Sequence, residues 1–405
     1  MKKSILVFTT TFPTFLQEDG TPPFVYELSK RLAEKGNFRL IVLTPFRKRT
    51  KVFKERGKLK IYRFKYGFTS LCEGAILPNL KKNKFLFFQL PFLFFFALVN
   101  LAKIVKKEKI DITHAHWIIP QGFIAVFYKK LFRKKDLKII CTSHGGDIFG
   151  LQNSLMKKIK RWTLNNVDKL TVVSKAIKDE VKKLNIKEDL PIEVIPMGVD
   201  PDIFNQNQYD EKIKEKYNIK GPFLLFVGRL VEKKGVRYLI DAMPKVVQRY
   251  SETKLLIIGS GPLENELKNQ VKNLNLENNI IFTGAIPNKE LPKYYATADI
   301  FIGPSVVAKS GDAEGFGLVF VETLLTKTCV ITSDLKSISD IVENEKTGLQ
   351  VDVKNQELFS KKIIELIEDK KQREKLAENG YNFAKKNFSW GIISDKYYKI
   401  LNSLL

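Results

Sequence analysis

Histidine and cysteine are scarce, three of each in 405 residues. Cys72, Cys141 and Cys329 lie far apart with no Cys-x-x-Cys, which excludes a disulfide framework and a zinc knuckle and points to a reducing compartment. His114, His116 and His144 are the only imidazoles, so a zinc site would have to recruit carboxylates or cysteines, and no metal is expected. No Walker lysine motif occurs, and Gly259-Ser260-Gly261-Pro262 lacks the spacing of a dinucleotide fingerprint, which argues against P-loop NTPases and NAD enzymes. Zinc-finger, RNA-recognition and basic-zipper patterns are missing too, so nucleic acid is not the expected partner. Met1-Lys2-Lys3-Ser4 followed by Ile5-Leu6-Val7-Phe8 is too short in its apolar part for a signal peptide and reads as a first strand. The expected location is the cytoplasm.

Acid is in short supply in one half only. Residues 1–200 hold 39 Lys and Arg against 17 Asp and Glu, whereas residues 201–405 hold 30 against 27. Arg47 to Lys65 alone contains ten basic residues and one acid, Glu55, and a second cluster runs Lys129, Lys130, Arg133, Lys134 and Lys135. Such density makes a surface attractive to phosphates, and an anionic membrane is the expected partner. Phe85 to Val99 is apolar except for Gln89, with Pro91 its only helix breaker; at fifteen residues it falls short of the roughly 20 that span a bilayer. Asn100, Lys103, Lys106 and Lys107 then give the continuing helix a polar face. Two readings fit: a helix that dips into a membrane without crossing it, and a core helix of an α/β domain.

Short β-rich runs alternate with helical ones along the whole chain. The first half predicts strands at Ser4–Thr9, Arg39–Thr44, Asp111–His116, Lys138–Thr142, Lys169–Ser174 and Glu193–Pro196. The second predicts Phe223–Val227, Lys254–Ile258, Ile280–Thr283, Ile300–Gly303, Cys329–Thr332 and Gly348–Val351. Helices at Phe24–Lys35, Val236–Tyr250, Leu263–Asn273 and Gln356–Glu368 lie between them. This alternation implies an α/β protein with two parallel sheets, each covered on both faces. Ile195-Pro196-Met197-Gly198-Val199-Asp200 is the expected hinge. Ligands of such sheets bind beyond the carboxyl ends of the strands.

Several predicted strand ends carry suitable chemistry. Glu314-Gly315-Phe316-Gly317 leads into apolar Leu318-Val319-Phe320-Val321 and then Glu322. A helix start beside glycines presents unpaired N–H groups that suit a diphosphate, while two carboxylates suit sugar hydroxyls, which need acceptors. Two glutamates at this spacing are also common on ordinary surface helices. Gly228-Arg229 ends a strand and is followed by Lys233, Lys234 and Gly235, a pattern that can clamp a diphosphate or form a solvated basic turn. Gly20-Thr21-Pro22-Pro23 opens a helix after the first strand and suits phosphate contact or an ordinary cap. Ser143-His144-Gly145-Gly146-Asp147 places an imidazole and a carboxylate on a loop whose glycines allow close approach; His114 and His116 share one side of their strand.

With these residues in place the chain resembles the retaining GT-B glycosyltransferases of family 4 over nearly its whole length. Gly228-Arg229-Leu230 with Lys234-Gly235, Gly259-Ser260-Gly261-Pro262, Phe282-Thr283-Gly284, Ala298 to Ser305 and Glu314 to Glu322 carry the resemblance in order and spacing. His114-Ala115-His116-Trp117 with Pro120-Gln121-Gly122, the Ser143 to Asp147 loop, and Phe388-Ser389-Trp390 also look like family signatures. The resemblance implies two Rossmann-like domains facing across a cleft: an acceptor domain over 1–198, joined by a returning C-terminal helix of about 388–405, and a donor domain over 199–387. It implies a metal-independent, cofactor-free transfer from a nucleotide-diphosphate sugar, UDP- or GDP-linked, to a lipid-linked or glycan acceptor in cell-envelope synthesis. Such an enzyme would sit peripherally at the inner face of the membrane.

By position, the resemblance puts Arg229 and Lys234 on the diphosphate, Glu322 on the ribose, and Glu314 beside the sugar. The backbone of Phe316, Gly317 and Leu318 would also meet the donor, together with the turns at Gly228 and Gly259. His144 would meet the outer sugar hydroxyls, Gly20 the phosphate, and backbone near Gly284 and Ile286 the base; Trp117 and Asp147 are acceptor-side candidates. Where the family continues with small residues and Gly-x-Pro, Thr326-Lys327-Thr328-Cys329 stands here, Lys336-Ser337 replaces a Gly-Gly pair, and Thr21 replaces a second glycine. These departures bear on the sugar pocket. Two other functions share the pattern: a nucleotide-sugar epimerase or hydrolase, and a membrane-docked nucleotide-binding protein without turnover.

Overall fold

A computed structural model describes residues 2–14, 23–68, 70–73, 76, 79–80, 83–150 and 152–405. The chain forms two compact units, Met1–Gly198 with Trp390–Leu405, and Val199–Ser389.

The first unit is built on eight strands, β1 (Lys3–Phe8), β2 (Phe38–Pro45), β3 (Phe53–Arg56), β4 (Leu59–Phe64), β5 (Ile112–His116), β6 (Lys138–Ser143), β7 (Lys169–Val172) and β8 (Ile192–Val194). They lie in the order β3-β4-β2-β1-β5-β6-β7-β8. All neighbours are parallel except β3 and β4. Its central strands are apolar on both faces because helices cover both: Ile5, Leu6, Val7 and Phe8 are all buried. The helix Phe24–Glu34 turns Val25, Leu28, Leu32 and Ala33 inward, one stripe at helical spacing.

The basic stretch Arg47 to Lys65 keeps most of its cations at the surface: Lys48, Arg49, Lys51, Lys54, Arg56, Lys58 and Lys65 are exposed. Most of it is the β3–β4 hairpin, with Leu59, Ile61 and Phe64 in the core. Two of its arginines are buried as well: Arg63 donates to the Pro13 carbonyl at 2.7 Å and Arg47 to the Thr10 carbonyl at 3.3 Å, so they brace the loop after β1.

Phe85 to Val99 resolves into a 3-10 turn, Lys84–Gln89, and the first half of a helix, Leu90–Lys107. Leu93, Ala97, Leu101, Ile104 and Val105 face the core, and Phe94 packs edge-on to Phe127 of the helix Phe123–Leu131. The opposite face is exposed, so the segment is a crossover helix with only one side in the core.

The last helix, Trp390–Ser403, belongs to this unit. Arg31 lies over the Trp390 ring at 5.3 Å, and the buried Tyr397 meets Thr171 by its hydroxyl and His114 by its ring. The second unit holds β9 (Phe223–Val227), β10 (Lys254–Ile258), β11 (Ile280–Gly284), β12 (Ile300–Gly303), β13 (Cys329–Ser333) and β14 (Leu349–Val351). Its sheet is wholly parallel in the order β11-β10-β9-β12-β13-β14. Leu224, Phe226, Leu239, Met243, Ile257, Ile331 and Phe359 lie in its core.

Candidate functional site

Strand order in the second sheet reverses beside β9, with β10 and β11 to one side and β12 to β14 to the other. The loops leaving β9 and β12 therefore diverge, and the space beyond their carboxyl ends is where such sheets hold ligands. Gly228 and Arg229 follow β9, and Lys234 ends a 3-10 turn, Glu232–Lys234, closed by Gly235. Gly235 has a left-handed φ of 64°, and a Cβ on it would fall 1.8 Å from the Pro304 carbonyl oxygen, so the turn lies hard against the chain leaving β12. Only glycine fits there. The Val306 N–H donates to the Lys233 carbonyl at 2.8 Å and ties the same two loops.

These loops assemble a charge cluster. Lys234 donates to the Glu314 carboxylate, with both side chains largely shielded from water. Lys233 donates to Asp312 at 3.1 Å and to the Ala313 carbonyl at 3.2 Å. Burial alone would raise the Glu314 carboxyl, but Lys234, Lys233 and Arg229 together hold it below the usual carboxylate range. Arg229 is exposed, and its guanidinium makes no ion pair with a described residue. A guanidinium aimed at no partner, next to an ammonium that can be shared, suits an incoming diphosphate.

A floor of backbone lies below. Gly228 donates to the Ile258 carbonyl and Gly259 to the Gly284 carbonyl, each at 2.9 Å, which joins the ends of β9, β10 and β11. The Lys234 Cε would lie 3.5 Å from a Cβ at Gly228, so the lysine stem crosses this floor. Gly284 has open space beside it, and Ile286 is half-buried two residues on. On the β12 side, Gly317 (φ 89°) starts the helix Leu318–Leu325, and no side chain caps it. Phe316, just before it, is buried against Phe388. The first amides of that helix are left for a ligand or water.

Glu322 sits one turn into the same helix, four residues after Leu318. It accepts from the Tyr295 hydroxyl at 2.9 Å. Burial raises its carboxyl to about 7, against the opposing pull of Tyr295 and Lys234. Tyr295 is placed in turn by Thr328, whose hydroxyl donates to the Tyr295 carbonyl at 2.6 Å. Thr326 and Thr328 thus brace Tyr295 and the helix end from a segment where the sequence departs from the family pattern. Tyr295 was missed in the sequence because an aromatic inside a short apolar helix carries no mark of its hydroxyl's partner.

The first unit has its own switch point, between β1 and β5. His116 ends β5 and His144 follows β6; the His116 Nδ1 and His144 Nε2 are 3.0 Å apart, and the ring planes are nearly parallel at 15°. His114, on the same side of β5, pairs its Nε2 with Thr142 Oγ1 at 2.7 Å. Burial, reinforced by the neighbouring imidazoles, pushes His116 and His144 well below their ordinary range, so both are neutral and act as hydrogen-bonding groups. Trp117, with φ 75°, brings its half-buried ring to 4.7 Å from His144, and Phe24 closes on the other side at 4.9 Å. Phe24 and His116 are the residues here to which sequence reasoning assigned no role.

Asp147 does not face outward as an acceptor-side residue would. It is buried, with its oxygens accepting from the Ile118 N–H at 2.6 Å and the Ser143 hydroxyl at 2.8 Å, and it braces the His144 loop. Gly20 and Thr21 lie outside the described residues. The second unit thus brings together Lys234, Glu314, Glu322 and the glycine floor beside Arg229, and the first brings His144 to Trp117.

Two family models match the chain: Glycosyltransferase Family 4 over residues 19–203 and Glycosyl transferases group 1 over residues 209–383. An uncharacterized glycosyltransferase of Methanocaldococcus jannaschii is 31% identical over 320 residues, spanning 78% of this chain and 80% of its own. A GDP-mannose-dependent alpha-(1-6)-phosphatidylinositol monomannoside mannosyltransferase of Mycolicibacterium smegmatis is 27% identical over 256 residues, 62% of this chain and 67% of its own. Among solved structures, sucrose-phosphate synthase of Thermosynechococcus elongatus superposes with a TM-score of 0.79 at 19% identity, covering 100% of this chain and 99% of that one, a likeness of fold.

Proposed function

The chain belongs to the group 1 glycosyltransferases of family 4, GT-B enzymes that use nucleotide sugars, and from that premise we propose that it moves a sugar, with retention, from a UDP- or GDP-sugar to a lipid-linked or glycan acceptor at the membrane. The observation that carries the donor half is the Lys234–Glu314 pair at the switch point of the second sheet, beside Arg229, which makes no ion pair with a described residue. The diphosphate accepts from Arg229, Lys234 and the amides at Gly317 and Leu318. Glu322 accepts from the ribose hydroxyls, Glu314 from the sugar, and the base lies against the backbone near Gly284 and Ile286. His144 meets a hydroxyl of the transferred sugar, and Trp117 offers its ring to the acceptor.

In the transfer step the acceptor hydroxyl oxygen bonds to the anomeric carbon as the bond from that carbon to the leaving phosphate oxygen breaks. The bonding pair goes to the diphosphate, and an oxygen of that phosphate takes the acceptor's proton on the same face of the sugar. Arg229 and Lys234 stabilise the charge growing on the leaving group, so no separate side-chain base and no metal ion is required. The lipid acceptor is favoured by the name of the mycobacterial relative, which acts on a phosphatidylinositol mannoside. A location at the inner face of the cell membrane goes with it.

A thermal-shift panel of UDP-, GDP- and ADP-sugars, followed by transfer assays in EDTA, tests this reading. A melting rise with one UDP- or GDP-sugar, and turnover unchanged by chelation, is expected. A response to none of the three, or activity abolished by EDTA and restored by a divalent metal, would overturn it.

A further inference from the structure

The exposed side of Phe85 to Phe95 is not absorbed by the donor site. Phe85 is 90% exposed, Phe88 66% and Phe95 58%, and Phe87 and Phe92 are exposed beside them. Phe68, Phe88 and Phe92 meet edge-on or tilted with ring centroids within 6.3 Å, so these three rings form one ridge along which Phe85, Phe87 and Phe95 are exposed as well. Gln89, the one polar side chain in the run, points inward and accepts from the Leu71 N–H at 3.3 Å, which leaves the ridge without a polar break. Soluble surfaces seldom carry so many large apolar groups in one patch without a partner.

Topology and charge identify the partner. The helix Leu90–Lys107 crosses from the carboxyl ends of the strands back to the amino end of β5, and its 18 residues span about 27 Å at 1.5 Å per residue. Its phenylalanines therefore lie at the edge of the first sheet that also carries His144 and Trp117, and Lys103, Lys106 and Lys107 lie at the far end. Lys84 stands at the head of the ridge, and no acid occurs between Glu73 and Glu108. An apolar ridge with cationic ends and no acidic residue complements a bilayer that offers acyl chains beneath anionic headgroups. Although Lys84–Lys107 is long and apolar enough to cross a membrane by composition, its inner stripe is packed in the core, so it lies along the interface.

We infer that this ridge is a membrane-docking surface for anionic phospholipid, which seats the helix in the plane of the interface and brings the His144 edge of the first unit to the lipid. The inference deepens the transferase reading by naming the surface through which a lipid acceptor is met. It is tested with neither donor nor acceptor present, so its failure leaves sugar transfer to a soluble acceptor standing.

Flotation of the full chain with vesicles of phosphatidylcholine alone, or with about a third phosphatidylglycerol, separates the contributions. The native chain floats with the anionic vesicles; Phe85→Ser/Phe88→Ser/Phe95→Ser binds at least about tenfold more weakly with an unchanged melting temperature. Lys103→Gln/Lys106→Gln loses the preference for anionic lipid. Should the triple variant unfold, a fluorophore on Phe85→Cys serves instead: its emission shifts blue with vesicles. Retained flotation of a folded triple variant, no flotation of the native chain, no emission shift, or a dimer in solution that the triple variant dissolves, each overturns the proposal; the last would assign the ridge to a second copy.

Discussion

Glu322 is held where its ionisation matters. Its carboxyl, raised by burial to about 7 from an ordinary 4.5, keeps its proton in the folded chain across a range where the unfolded chain has released it. The sign follows from linkage: its contribution to stability is full below about 4.5 and is lost as pH rises through about 7. The carboxylate accepts from ribose hydroxyls more strongly than the protonated carboxyl does, so donor affinity should move the opposite way and tighten from pH 6 to 8. Titration calorimetry checks this, with Glu322→Gln showing a flat profile. Tyr295→Phe removes the donor that stabilises the carboxylate, and should move the midpoint of the profile upward; an unchanged midpoint would separate Tyr295 from the site. The sequence held the glutamates, glycines and cations of this account in plain view because type and spacing mark them. It did not hold Tyr295, Phe24 or the inward turn of Asp147, since those depend on which atoms of distant segments meet.

Elements show the same division. The six strands of the second sheet are short apolar runs bounded by polar, glycine or proline residues, and each is predicted within two residues of its ends. The β3–β4 hairpin went unread because lysines and arginines alternate with Leu59 and Ile61, and ten positive charges read as surface while the period-two pattern is the real signal. The helix Leu318–Leu325 depends on Gly317, whose φ of 89° favours glycine and whose Cβ would come within 2.7 Å of Phe320. Gly317→Ala should therefore cost about 1–3 kcal/mol, and it should weaken donor binding more than the loss of stability explains, because the helix amides move. Denaturant melts with and without nucleotide sugar measure both; a variant that binds as the native chain does would mean that these amides do not meet the donor.

For the whole molecule, the last helix joins the ends of the chain into one unit. Trp390, Ile393, Tyr397, Ile400 and Leu401 are buried in the first unit, although 190 residues of the second intervene between Gly198 and Ser389. Fully burying such side chains contributes roughly 1.5–3 kcal/mol each, and a domain of this size shifts by about 2–4 °C per kcal/mol. Truncation after Ser389 should lower the first unit's transition by more than about 10 °C and leave the second unit's nucleotide response intact. Scanning calorimetry resolves the two, and a single transition unmoved by truncation would contradict the assignment of the helix.

The central claim is that Arg229 and Lys234 act on the leaving diphosphate as the glycosidic bond breaks. Steady-state kinetics of Arg229→Ala and Lys234→Ala, with whichever nucleotide sugar the panel selects, tests it most directly. A fall in kcat of about 100- to 1,000-fold is expected for each, larger than any loss of donor affinity, because the contact strengthens as charge develops. A near-native kcat in either folded variant would contradict it.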